Sequence, residues 1–299
     1  SQALDLDFGL RTAGKLVLFR SQGEFDSARS AITDCSAKDE AQQVLTPAEC
    51  IALEPTLNLG ERDFAGGIFT ASEQVGDCAA FCAALAERLQ QRNNVEWLLG
   101  TAVIRPVRSG GHLVAVDTGS GHVQADRFVL CMGASSGGFA RACGFYLPIY
   151  PVKGYSITLQ PAREAGTLRH SVTDFERKLV FAPLARAAGT AIRVAGIADL
   201  DGNDMSIDPL RVDVLRRASG ELLGIEADGD IQPWCGLRPM TPDSRPIIAW
   251  SPLPDLFVNS GHGMLGWTLA CGSARLAADL IDGRPAAIAA GAFSLRRAA

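Results

Sequence analysis

Residues 261–266 read Gly-His-Gly-Met-Leu-Gly, a GxGxxG spacing in which glycines let the backbone come close to a ligand. The turn follows a strand-like run, Leu256-Phe257-Val258-Asn259-Ser260, and opens a helical run from Thr268 to Ile281. A helix beginning near Trp267 turns unpaired N–H groups and a partial positive charge toward whatever lies in front of it. Such a turn suits an anionic or electron-rich planar group. The spacing imitates a dinucleotide fingerprint, but that fingerprint opens its fold and needs a second strand with an acidic residue near its end. Here the helical run is followed by a short stretch rich in Gly, Pro, Ala and Arg. The turn is therefore expected to close a nucleotide-binding fold, with a plain strand–helix turn as the alternative.

Arg238, within Gly236-Leu237-Arg238-Pro239, is the side chain best suited to grip a small carboxylate, because a planar guanidinium can donate two parallel hydrogen bonds. Pairing with Asp243, or simple exposure, is the alternative. Tyr155 follows Lys153-Gly154 at a strand start and either presents its hydroxyl to the same cavity or packs in the core. His262 has no recognisable partner and is expected to contribute backbone rather than act as a base. The four histidines, His112, His122, His170 and His262, are scattered, and no metal site is expected. Eight cysteines, Cys35, Cys50, Cys78, Cys82, Cys131, Cys143, Cys235 and Cys271, contain no CxxC pair. Most lie in apolar runs, which predicts buried reduced thiols rather than disulfides. Cys78 and Cys82 share the apolar face of one helix and are expected in the core.

The elements that must position these groups belong to an ordinary globular chain: 299 residues, 47% apolar, 20% charged, formal charge −5. No basic run is present, which argues against nucleic acid as a partner. No segment reaches the roughly 18 uninterrupted apolar residues of a membrane helix. The start, Ser1-Gln2-Ala3-Leu4-Asp5, shows neither the basic nor the apolar region of a secretory signal.

Residues 14–20 read as a strand, followed by a polar helix from Glu24 to Ser36. Thr46-Pro47-Ala48-Glu49 combines an N-cap threonine, a first-turn proline and a glutamate at the third helical position, a capping box. Asp77 caps an amphipathic helix with Cys78, Phe81, Cys82, Leu85 and Leu89 on one face. Strands are expected over Val95–Leu99, Ala102–Val107, Leu113–Asp117 and Arg127–Cys131, the last running into the small-residue turn Met132–Gly138. Further strands near Tyr155–Leu159, Lys178–Ala182 and Ala191–Gly196 precede a helix from Asp208-Pro209 to Leu223. The order predicts two domains woven together.

Gly14 to Arg20, Gly66-Gly67-Ile68 leading to Gly76-Asp77, Asp126 to Gly133, Pro151-Val152-Lys153-Gly154-Tyr155, Trp234 to Asp243, and Gly261 to Trp267 occur in one order over almost the whole chain. Together they resemble the D-amino-acid oxidase superfamily of FAD-dependent oxidoreductases, most closely its bacterial D-amino-acid dehydrogenase branch (small subunit). The resemblance implies a mixed α/β (α+β) fold in which a partial FAD-binding domain is interleaved with an antiparallel-sheet substrate domain. It assigns residues 1–65 and 147–233 to the substrate domain, and 66–146 and 234–299 to the FAD-binding domain. It places Gly261, His262, Gly263, Met264, Leu265 and Gly266 at the flavin ring, Gly133, Ala134 and Ser135 at the diphosphate and ribitol, and the backbone of Val103 at the adenine. Arg238, with Tyr155, would hold the substrate.

The implied reaction removes hydride from the Cα of a D-amino acid and yields a 2-oxo acid and ammonia, with no side-chain base. A respiratory electron acceptor and a place in the bacterial cytoplasm, peripheral to the inner membrane, are implied with it. The family opens with a βαβ unit carrying its own GxGxxG, which is not found here, so a truncated enzyme with weak FAD binding is expected. A catalytically silent folded fragment, self-associating through an exposed sheet edge, is the alternative. A related flavin enzyme for glycine, sarcosine or hydroxyproline is another.

Overall fold

Capping chemistry places several helices where the chain says they begin. In the computed structural model, which describes residues 5–35, 42–160, 167–186, 189–225 and 231–296, the helix Pro47–Leu53 starts from a complete Thr46/Glu49 capping box. Asp77 accepts from the Ala79 and Ala80 N–H groups to open Cys78–Gln90. Asp208 accepts from Leu210 to open Pro209–Leu223, which ends on Gly224 in the left-handed region. The helix expected from Glu24 to Ser36 spans Gln22–Cys35, and Ser36 lies outside the described residues.

The chain divides into two compact units, residues 1–96, 154–198 and 206–235 in the first, residues 97–153, 199–205 and 236–299 in the second. It changes unit within two strands, Tyr150–Leu159 and Gln232–Met240. These two strands lead an eight-stranded sheet, followed in order by Gly189–Asp199, Leu179–Arg186, Ser171–Asp174, Lys15–Phe19, Gly66–Thr70 and Gln42–Leu45. Residues 66–70 pair with 15–19, and this ladder draws the Gly66–Gly67 segment into the first unit. Leu16, Ile157, Val172 and Leu215 are fully buried in this unit's main core, each burial being worth roughly 1.5–3 kcal/mol.

The second unit holds a three-stranded meander, Arg105–Ser109, His112–Asp117 and His122–Gln124, and a three-stranded sheet ordered Ile247–Trp250, Leu256–Ser260, Phe128–Leu130. Alternation along 256–260 sends Leu256 and Val258 into one cluster and Phe257 into another, so both faces of that strand are covered. Residues 199–205 are tied to this unit through Lys153, whose buried ammonium donates to Asp201 at 2.8 Å and Asp204 at 2.6 Å.

Three expectations are corrected. Residues 95–104 carry no strand, and Leu98, Leu99 and Ile104 are exposed; apolar alternation makes a strand only where a neighbour completes the ladder. The helix Cys78–Gln90 buries none of its residues, so its apolar face is not core. None of the seven cysteines described is in a disulfide, but Cys78, Cys82, Cys131 and Cys271 are exposed and only Cys50, Cys143 and Cys235 are buried. A hydrophobic run selects an element's apolar face but not whether the fold covers it.

Candidate functional site

Strands Leu256–Ser260 and Phe128–Leu130 run parallel, with Leu256 opposite Phe128 and Val258 opposite Leu130. Their carboxyl ends therefore lie side by side, the position at which open α/β sheets take ligands. Each strand passes into a glycine turn of the same build. Gly133, at φ +54°, starts a 3₁₀ turn, Gly133–Ser135, that runs into the helix Ser136–Ala142. Gly263, also at φ +54°, starts the 3₁₀ turn Gly263–Leu265 that runs into Gly266–Ile281. No side chain caps either start; the Ser135 N–H bonds to the Met132 carbonyl and the Leu265 N–H to the His262 carbonyl within the turns, and the positive end of each helix dipole points forward of them. A Cβ placed on Gly133 would meet nothing within 4 Å, which leaves open space in front of that turn.

Two serines that the sequence reading missed tie the turns together. Ser260 Oγ donates to the Gly133 carbonyl at 3.2 Å and lies 3.0 Å from Ser136 Oγ. Both residues are buried. Their only sequence signal is position: one precedes the second turn and the other follows the first.

Strand alternation points Arg238 and Met240 to the same face of Gln232–Met240. Met240 lies against the second turn, since a Cβ on Gly263 would stand 2.9 Å from its Sδ. Arg238 is partly buried, and desolvation lowers its pKa from the ordinary value, although a guanidinium stays charged. Asp243, the alternative partner weighed for Arg238, accepts from Arg245 Nε at 3.0 Å. His262 is partly buried and burial lowers its pKa, which favours the neutral ring. Its carbonyl accepts from the Leu265 N–H at 3.1 Å within the turn.

Gly133, Ala134, Ser135 and the whole of Gly261–Gly266 are thus brought together, with Arg238 on a strand that reaches the second turn. Tyr155 and Val103 complete the set of candidates. Tyr155 belongs to the first unit, is 2% exposed, and shares its core with Ile157 and Leu159 on the same strand face. Val103, expected within a sheet, lies in the exposed segment before the strand Arg105–Ser109.

A turn pair of this kind, beside parallel strand ends, suits a nucleotide cofactor. Residues 1–280 match the family model described as FAD dependent oxidoreductase, and the chain belongs to that family. Among curated relatives, D-amino acid dehydrogenase 2 of Pseudomonas aeruginosa is 40% identical over 94% of this chain and 65% of its own length. The D-amino acid dehydrogenase of Agrobacterium fabrum is 37% identical over 93% of this chain and 66% of its own. The chain thus spans just under two-thirds of the length of these relatives, 65% and 66%. Glycine oxidase from Geobacillus kaustophilus superposes with a TM-score of 0.88 at 24% identity, over 100% of this chain and 79% of its own. L-proline dehydrogenase from P. horikoshii superposes with a TM-score of 0.82 at 19% identity, over 96% and 76%. These likenesses establish the fold.

Proposed function

We propose that this chain carries the cofactor-facing turns and the substrate arginine of an FAD-dependent D-amino acid dehydrogenase. The paired glycine turns carry the reading: two uncapped helix starts at adjacent parallel strand ends, one with open space before it, fit a long cofactor with an anionic diphosphate and an electron-rich ring edge. Gly133, Ala134 and Ser135 would face the diphosphate and ribitol, Gly261 to Gly266 the flavin ring, and the Val103 backbone the adenine. Residues 66–146 and 234–299 then serve FAD binding, and 1–65 and 147–233 serve the substrate.

FAD, when bound, supplies the two-electron acceptor for hydride leaving the substrate Cα. Arg238 holds the substrate carboxylate bidentately and fixes the direction in which the Cα hydrogen points. Tyr155 is the second substrate residue of this reading. Neutral His262 places no competing positive charge at the turn, and orientation replaces a side-chain base. The relatives are named dehydrogenases, which supports an electron acceptor; the proposed acceptor is a respiratory one, and the proposed place is the cytoplasm, peripheral to the inner membrane. Among the described residues no helix is long and apolar enough to cross a membrane. Strand Phe128–Leu130 ends its sheet with Val129 half exposed, an edge suited to self-association that size-exclusion chromatography tests.

The functional test is Arg238→Met in a flavin-loaded preparation. The D-amino acid concentration for half-maximal flavin reduction should rise more than about tenfold, the worth of a charged hydrogen bond pair, while flavin content changes less than about twofold. Equal losses of both would assign Arg238 a structural role.

A further inference from the structure

We infer that Ser136 and Ser260 form a positioning pair that fixes the two glycine turns at the spacing a cofactor spanning both requires. The inference rests on the reading of these turns as FAD contacts. The Ser260 hydroxyl has one proton and donates it to the Gly133 carbonyl at 3.2 Å, so its contact with Ser136 Oγ at 3.0 Å is one in which Ser136 donates. The Gly133 carbonyl also accepts from the Ser136 N–H. Two donors therefore hold this peptide plane from the protein side. In a trans peptide the N–H points opposite the carbonyl, so the Ala134 N–H is turned away from Ser260. The space beside Gly133 is open.

The pair does for this site what no covalent connection does. Gly133 and Ser260 are 127 residues apart in sequence, and their strands share only a short parallel ladder, 256–258 against 128–130. A ligand touching both turns needs them set to a fraction of an ångström. Both hydroxyls are shielded from water, Ser136 at 0% and Ser260 at 3% exposure, so water does not substitute for either partner.

The experiment titrates FAD into the purified chain, following flavin fluorescence and the visible absorption band, for the parent, Ser260→Ala, Ser260→Thr, Ser136→Ala and Ser219→Ala. Ser219 is the control, a buried hydroxyl that donates to the Leu215 carbonyl at 2.8 Å within Pro209–Leu223, outside the second unit. Ser260→Ala should weaken FAD binding about tenfold and shift the bound-flavin band. Ser260→Thr, which keeps the hydroxyl, should stay within about threefold of the parent, and Ser136→Ala should lose about threefold. Ser219→Ala should lower the melting temperature and leave FAD affinity unchanged. Parental affinity and spectrum in Ser260→Ala overturn the inference, as does an equal loss in Ser219→Ala. If Ser260→Ala does not fold, unchanged affinity in Ser136→Ala overturns it. A parent that shows no FAD binding up to millimolar concentration overturns the cofactor reading itself and the inference with it.

Discussion

The two glycine turns share a backbone and differ in their surroundings. Gly133 and Gly263 both sit at φ +54°, both start a 3₁₀ turn, and both lead into a helix without a side-chain cap. Gly133 faces open space, whereas Gly263 is packed under the Met240 thioether. The helix after the first turn has 7 residues and the helix after the second has 16. One backbone solution thus serves two ends: an accessible turn that can admit a bulky anionic group, and a turn backed by protein that holds its N–H groups on a longer helix. Glycine is required at Gly133 by conformation alone, and at Gly263 by conformation and packing together.

Substitutions can break or sharpen that contrast. Gly263→Ala should cost the most, about 2–3 kcal/mol: roughly 1–2 for a left-handed L-residue and about 1 for displacing Met240. Gly133→Ala should cost only the conformational part, about 1–2 kcal/mol. Urea unfolding of the two variants checks both values, and equal losses would erase the distinction. Combining Gly263→Ala with Met240→Ala should return about 1 kcal/mol relative to the sum of the single effects, because the thioether then no longer has to move. Strict additivity in that double-mutant cycle would show that Met240 exerts no pressure on the turn.

The smallest effect is a pH dependence. Burial lowers the His262 pKa in the folded chain, while the unfolded chain binds its proton at about pH 6.5. Below that pH the unfolded state binds more protons, so His262 makes stability fall as pH drops from about 6.5 through the lowered folded value, and leaves it unaffected above. Melting curves of parent and His262→Asn between pH 5 and 8 should diverge only at the acidic end.

Local signals in the chain were read accurately where the physics is local. Thr46 with Glu49, Asp77 and Asp208 cap the helices their spacing announces, and glycine marks both turns. The run 95–104 was misread because its apolar alternation carries no information about whether a neighbouring strand exists. The thiols of Cys78 and Cys82 were misread for the same reason: helical spacing identifies a face, and only packing decides whether it is covered. The near-complete burial of Tyr155 was not legible in its position after Lys153-Gly154, because only packing sets how far a side chain is covered.

The amino-acid sequence by itself determined the capped helix starts, the glycine turns, the arginine two residues before Met240, and family membership through motifs kept in one order. These depend on residue type and short spacing. The tertiary structure alone decided that the two turns lie side by side, that Ser260 reaches Gly133 across 127 residues, and that Lys153 is a buried cation held by Asp201 and Asp204. Such pairings join groups far apart along the chain. Their free energy comes from desolvation and contact that exist only once the strands have found their neighbours.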